Sequence, residues 1–323
     1  MLGCSARTFS ADLECVKAVL RLWDPIGVFP DWCRPARDEY DSYAPRLLSS
    51  ICSGAPAAAL AADLEHIRTV SMGLRPHPED ALETARRLVA LRERPEHSVA
   101  IDGYFIAPSK LSPDTCDAVL SVLPATTGGR GGVRNLLANE VVQALVQSEL
   151  VASIVRPLAG NDACGVSATL FDKVQGANWK VAWHQDRTGA LAARIEHPSF
   201  RHWHFRHGGY QAELPHKVLE RMVALRVHLD DCGAEDGPLR VVPGSHLLDK
   251  LRESEIATIA QTLEQVTLPA NRGDILVLRP LLLHASSPAE RPAHRRVLHI
   301  EFAPRDAVAP AQWAKCVDLG GGP

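Results

Sequence analysis

His184 and Asp186 stand two residues apart in Trp183-His184-Gln185-Asp186, and a second histidine, His284, ends the run Leu281-Leu282-Leu283-His284 one hundred positions later. In an extended strand, residues two apart point to the same side, so His184 and Asp186 share a face and Gln185 takes the other. For His284 to join them, the fold must bring a strand distant in sequence beside the first, as a β-helix does. Two imidazoles and one carboxylate on one face of an octahedron suit non-haem Fe(II) and leave positions for a bidentate co-substrate and dioxygen. Taken singly, the histidines read as buried, hydrogen-bonded core residues and the aspartate as a turn cap. Eleven residues past His284 stands Arg295, then Arg296, opening the alternating stretch Arg296-Val297-Leu298-His299-Ile300-Glu301-Phe302. A guanidinium there could hold the far end of a dicarboxylate by two parallel charge-assisted hydrogen bonds. Adjacent strand residues face opposite ways, so only one of the two arginines reaches a shared pocket.

The rest of the chain divides by periodicity. Residues 1–95 read as helical: Ser10 caps a helix carrying Leu13, Val16, Val19, Leu20 and Trp23, a second carries Tyr40, Tyr43, Leu47, Leu48 and Ile51, a third runs through Leu60, Leu64 and Ile67 to Gly73, and a fourth starts at Pro78. No metal-ligand spacing appears there, and a small helical bundle is expected. The pattern breaks at Arg94-Pro95-Glu96-His97. Beyond it come a short strand at 103–107, a helix at 112–123, a glycine-rich connector at 126–132 and helical periodicity over 133–158. Short β-like segments follow at 167–174, 179–185, 222–230, 238–242, 264–268, 274–278 and 296–303, separated by Gly, Pro, Asn and Asp turns. The expected organisation is therefore α+β: an all-α domain over 1–95, a β-core with flanking helices over 96–306, and a C-terminal tail over 307–323.

Composition narrows the partners. A formal net charge of −3 with both signs interspersed offers no polyanion-binding surface, which argues against nucleic acid. No apolar run approaches signal-peptide or membrane-span length, so a soluble cytoplasmic protein is expected. Eight cysteines are scattered without Cys-x-x-Cys spacing and read as reduced thiols. Eleven of the fourteen histidines lie between 184 and 299, partly in an aromatic-rich insertion with His197, Phe200, His202, Trp203, His204, Phe205, His207 and Tyr210. Its His202-x-His204-x-x-His207 run lacks a carboxylate partner at recognisable spacing, and a loop-like lid that excludes water is the expected role.

Several motifs occur together in order: Phe171-Asp172-Lys173, Asn178 to Asp186, Leu229-Asp230-Asp231, Gly237-Pro238-Leu239-Arg240-Val241-Val242-Pro243-Gly244-Ser245-His246, Gly273-Asp274 and His284. In these the chain resembles the phytanoyl-CoA dioxygenase family, over roughly residues 97–305. The resemblance implies a double-stranded β-helix of jelly-roll or cupin-like form, with Fe(II), 2-oxoglutarate and O2 as cofactor and co-substrates. It implies His184, Asp186 and His284 as metal ligands, Arg295 as the 2-oxoglutarate arginine with Arg296 in reserve, and Ser286 as a hydroxyl that either assists the same co-substrate or caps a turn. The carboxylate of Asp186 separates the chain from related halogenases, in which a small residue vacates that position for halide, and favours hydroxylation or another oxidation. Lys173, Trp183, Arg226, His228 and Trp203 are the candidates for contact with a small-molecule substrate. No basic cluster suited to coenzyme A phosphates stands near the lid. The competing readings are a cupin-like metalloenzyme that does not use 2-oxoglutarate and a non-catalytic binding protein on the same barrel.

Overall fold

The computed structural model describes residues 40–92, 98–100, 102–123, 132–206 and 208–321, with positions 13, 16, 17, 19, 20, 23 and 25 besides. Contacts divide the chain into two compact units, Met1–Ile101 and Asp102–Pro323. The expected Ser10 cap, most of the glycine-rich connector and His207 lie outside the described residues.

In the first unit the described residues form helices and turns. The helices α1 (Ala44–Cys52), α2 (Ala57–His66) and α3 (Pro78–Arg92) each begin at or beside a proline, where a missing N–H leaves no helical bond unmade. Leu47, Leu48, Ile51, Leu60, Leu64 and Leu88, spaced by threes and fours, close over Tyr40, and Val16, Leu20 and Trp23 enter the same core. Each such side chain contributes about 1.5–3 kcal/mol by leaving water. Trp23 donates to Asp80 at 2.9 Å, which also pairs with Arg68 at 2.9 Å, so the polar indole atom is satisfied.

The second unit begins with β1 (Tyr104–Ala107), α4 (Pro113–Val122), β2 (Gly132–Val133), α5 (Glu140–Val146) and α6 (Glu149–Ala159). Then come β3 (Ala163–Asp172), β4 (Val181–His184), β5 (Thr188–Leu191), β6 (Arg201–Arg206), β7 (Gly209–Glu213), α7 (His216–Leu219) and β8 (Val223–His228). The chain continues through β9 (Leu239–Val241), α8 (Glu253–Thr262), β10 (Val266–Leu268), β11 (Ile275–Leu278), β12 (His284–Ser286), β13 (Arg296–Pro304) and β14 (Val317–Asp318). One sheet runs β1-β11-β8-β13-β3-β14 with β2 also on β3, and a second runs β10-β9-β12-β4, every pair antiparallel. This mixed helix and antiparallel-sheet content is consistent with a jelly roll. β8 is central and buried along its whole length; Leu225 and Val227 fill one face, and Arg226 and His228 share the other. Among the described residues no single helix is long and apolar enough to cross a membrane.

Two expectations are corrected here. The aromatic insertion is not a loop: β5, β7 and β6 form a third antiparallel sheet, with Gly208 at φ +79° in the turn and a register shift between Arg201 and His204. Nor are all the cysteines free. β14 pairs with β3 so that Asp318 faces Cys164, and this register lets Cys316 close a disulfide with Cys164. The reading of all eight cysteines as reduced thiols is therefore corrected for Cys164 and Cys316. The segment expected as a tail packs inward, with Trp313 buried against Leu191, Leu214 and Phe200 and its indole N–H donating to Pro304 O at 3.2 Å.

Candidate active site

β4 and β12 bring the three candidate ligand residues together. They pair with His184 opposite His284, so residues one hundred positions apart become cross-strand neighbours, their ring centroids 4.2 Å apart. Each imidazole is oriented the same way, His184 Nδ1 bonding the Ala182 carbonyl and His284 Nδ1 the Leu282 carbonyl, both at 2.8 Å. A carbonyl only accepts, so each Nδ1 donates and each Nε2 turns its lone pair inward. Asp186 lies just past β4, its N–H donating to Pro280 O at 2.8 Å. Its carboxylate meets Nε2 of His184 at 3.4 Å and Nε2 of His284 at 3.5 Å. Among the described residues this is the group that could hold a metal ion, its ligand atoms all within 4.8 Å of one another.

The electrostatics agree with that use. Burial works against the Asp186 carboxylate, yet His284 and His184 hold its pKa well below the usual range. Burial lowers His284 to about 4, whereas the bond and charge of Asp186 outweigh burial at His184 and raise it. Lone pairs from two rings and a carboxylate converging at such distances repel unless a cation sits among them, and the donor set of two nitrogens and one oxygen suits Fe(II). Gln185, on the opposite strand face, knits the outer loop, donating to Asp249 O and Leu281 O at 2.9 and 2.8 Å and accepting from Leu251 N at 2.8 Å.

These three candidate ligands line a cavity of about 490 Å3 whose walls come from both large sheets. Register orders its β13 wall. Arg295, Val297, His299 and Glu301 share one face of the chain; Lys173 N bonds Arg295 O, Phe171 pairs with Val297, Thr169 with His299, and Ser167 with Glu301. On the other flank, Arg226 of β8 pairs with His299 and lies over the Phe171 ring at 5.6 Å. At the Arg295 end the chain concentrates cations. Arg295 is 4% exposed, with Nη1 3.4 Å from Gly237 O and Nε without a partner. Lys173, fully buried, donates from Nζ to Ser286 Oγ at 3.0 Å and to Ser287 O. Burial first, then the charge of Arg295, lowers Lys173 to about 7. Arg226 falls to about 10 and His299 to about 3, burial being the first cause in both.

The remaining sequence candidates separate by strand face. Arg226, Ser286 and Arg295 line the cavity. Arg296 does not: its Nε and Nη2 clamp the Asp230 carboxylate at 2.7 and 2.6 Å, on the opposite face from Arg295. Trp183 alternates outward from His184, packs with Val242, Leu283, Ile256 and Ile259, and lies beneath the Arg240 guanidinium at 5.3 Å. Trp203 packs on the cluster of Leu191 and Phe200, while its neighbour His204 lines the cavity. His228 is buried behind the wall, its ring nitrogens unpartnered and its pKa lowered to about 3 by burial and then by Arg226. Ser167, Thr169, His299 and Glu301 line the cavity without having been singled out; the alternation from Arg295 along β13 was the signal for the last two.

Sandwiched antiparallel sheets with two imidazoles and a carboxylate converging in the cavity between them define a non-haem metal enzyme of the oxygenase kind. The phytanoyl-CoA dioxygenase family model matches residues 123–297, more than half of the chain, and the chain belongs to this family of Fe(II)- and 2-oxoglutarate-dependent oxygenases. Among solved structures, the epimerase SnoN in complex with Fe3+, alpha ketoglutarate and nogalamycin RO is similar at 17% identity and TM-score 0.50, over 67% of this chain and 84% of that one. EctD from S. alaskensis with 2-oxoglutarate and 5-hydroxyectoine matches at 18% identity and TM-score 0.49, over 65% and 75% of the two chains. AviO1 from Streptomyces viridochromogenes Tue57 matches at 22% identity and TM-score 0.46, over 65% and 93%. No curated protein sequence matches the chain.

Proposed function

We propose that the second unit is a double-stranded β-helix in which His184, Asp186 and His284 hold Fe(II), Arg295 binds the distal carboxylate of 2-oxoglutarate, and a small molecule is hydroxylated at a C–H bond. The helical segment 1–95 is proposed as a separate domain outside the chemistry. Bound together, the metal, 2-oxoglutarate and O2 supply the oxidising step, with succinate and CO2 released. The chain supplies placement. The observation that carries the reading is the buried Arg295 guanidinium with a free Nε, which lines the same cavity as the candidate ligand triad, together with the buried Lys173 ammonium bonded to the cavity-lining Ser286. An isolated buried cation is costly, and a dicarboxylate's far end neutralises both. The Nδ1 bonds to Ala182 and Leu282 keep both rings aimed before the metal arrives. The third sheet, through His204 and Gln211, covers the cavity and limits water.

The test is to add Fe(II) and 2-oxoglutarate to metal-free protein without oxygen and record the weak visible charge-transfer band of the chelate. The band should form in the wild-type protein, vanish in His284→Ala and require about tenfold to a hundredfold more 2-oxoglutarate in Arg295→Ala. Iron binding without the band would overturn the 2-oxoglutarate assignment in favour of a cupin-like enzyme.

A further inference from the structure

The β13 wall runs along the cavity, with Arg295, His299 and Glu301 all lining it. At about 3.4 Å per residue, Arg295 and Glu301 stand roughly 20 Å apart along the strand. The candidate ligand triad lines this same cavity together with His299 and Glu301. The Arg295 end is the proposed seat of 2-oxoglutarate. The other end is left for the substrate, and it holds a carboxyl that the oxygenase chemistry does not use.

That carboxyl is Glu301, which lines the cavity and takes a hydrogen bond from Ser167. Among the described residues no cation lies within ion-pair distance of it. Burial disfavours its ionised form. An uncompensated carboxylate in such a place is stabilised by a ligand that brings its own positive charge. Three exposed cations from three separate segments also line this cavity: Arg134 after β2, Arg206 at the end of β6, and Lys315 in the segment before β14. None has an ion-pair partner among the described residues. The basic cluster that no single stretch of sequence contains is thus assembled by the fold.

We propose that Glu301 binds a cationic nitrogen of the substrate and that Arg134, Arg206 and Lys315 receive its acid group, making the substrate a zwitterionic small molecule. This rests on the oxygenase reading, and the experiment keeps the two apart. The anaerobic Fe(II)–2-oxoglutarate complex is formed first, and its band before any probe is added reports on metal and 2-oxoglutarate binding. Free amino acids and dipeptides, their N-acetyl and C-amide derivatives, and coenzyme A are then added as probes. Binding is read by displacement of the band, and turnover in air by succinate release. Zwitterionic probes should shift the band and raise succinate release, whereas the blocked derivatives of the same compounds should need at least about tenfold higher concentration. Glu301→Gln should keep the unprobed band and lose about tenfold to a hundredfold in affinity for the zwitterion. A joint Arg134→Glu, Lys315→Glu variant should weaken zwitterions while sparing the C-amides. If no zwitterion shifts the band, if N-acetyl compounds or coenzyme A act equally well, or if Glu301→Gln binds like wild type, the assignment is wrong. A missing band in the wild-type protein would instead overturn the 2-oxoglutarate reading.

Discussion

Arg295 and Arg296 are adjacent in the chain and opposed in space, one with its guanidinium against the cavity and the other clamped by both oxygens of Asp230. Arg296→Ala should therefore cost about 1–2 kcal/mol of stability in a denaturant titration and leave 2-oxoglutarate affinity within about twofold. Lys173 adds a pH dependence whose sign follows from its lowered pKa. From about 7 up to the ordinary lysine value of 10.5, the folded chain binds fewer protons than the unfolded one, so the metal-free protein gains stability as pH rises through that window. A bound carboxylate favours the charged ammonium, so 2-oxoglutarate affinity is greatest below about pH 7 and falls above it, by up to about tenfold per pH unit. Dissociation constants at three pH values across neutrality, in wild type and Lys173→Met, check this; a flat wild-type profile would show that Lys173 does not meet the co-substrate. The shared face of His184 and Asp186 was legible because a two-residue spacing on a strand is local, whereas His284, one hundred positions on, and Arg295 were named from the order of the motifs and the family resemblance. Trp183 and Trp203 misled because an aromatic beside a ligand or in a lid suggests a pocket, whereas strand alternation turns Trp183 outward and Trp203 packs on the Leu191–Phe200 cluster.

The connections between strands matter as much as the strands. Gly237 sits at φ +63°, and a Cβ there would lie 2.3 Å from Ser287 O. Those same two residues supply the carbonyls on which Arg295 and Lys173 rest. Gly237→Ala should thus both destabilise the protein, by about 2–4 kcal/mol, and weaken 2-oxoglutarate binding, because relief of the clash moves both cation supports. Calorimetry with a parallel band titration separates this from a purely structural loss, which would leave the affinity of the folded fraction unchanged. Strands β8, β11 and β13 could be read in advance from apolar runs or alternation. Those of the third sheet could not, because His202, Trp203, His204 and Phe205 carry aromatic or imidazole side chains on both faces. Helix α8 was equally hidden, its buried side reduced to Ile256, Ile259 and Ala260.

Across the whole chain, the feature that no local pattern announces is the disulfide, which joins positions 152 residues apart through the pairing of β14 with β3. Peptide mapping without reductant should recover Cys164 and Cys316 on one linked fragment, and Cys316→Ser should lower stability by about 2–5 kcal/mol. The basic rim was invisible for the same reason, since Arg134, Arg206 and Lys315 meet only once the sheets close. Lys315 is the residue directly before Cys316. One rivet therefore fastens the part of the wall that would choose among substrates, while the reaction centre a few strands away works only with reduced iron. A dithiol strong enough to protect the iron would also loosen that wall, so the choice of reductant would alter which molecules are accepted before it alters how fast they react.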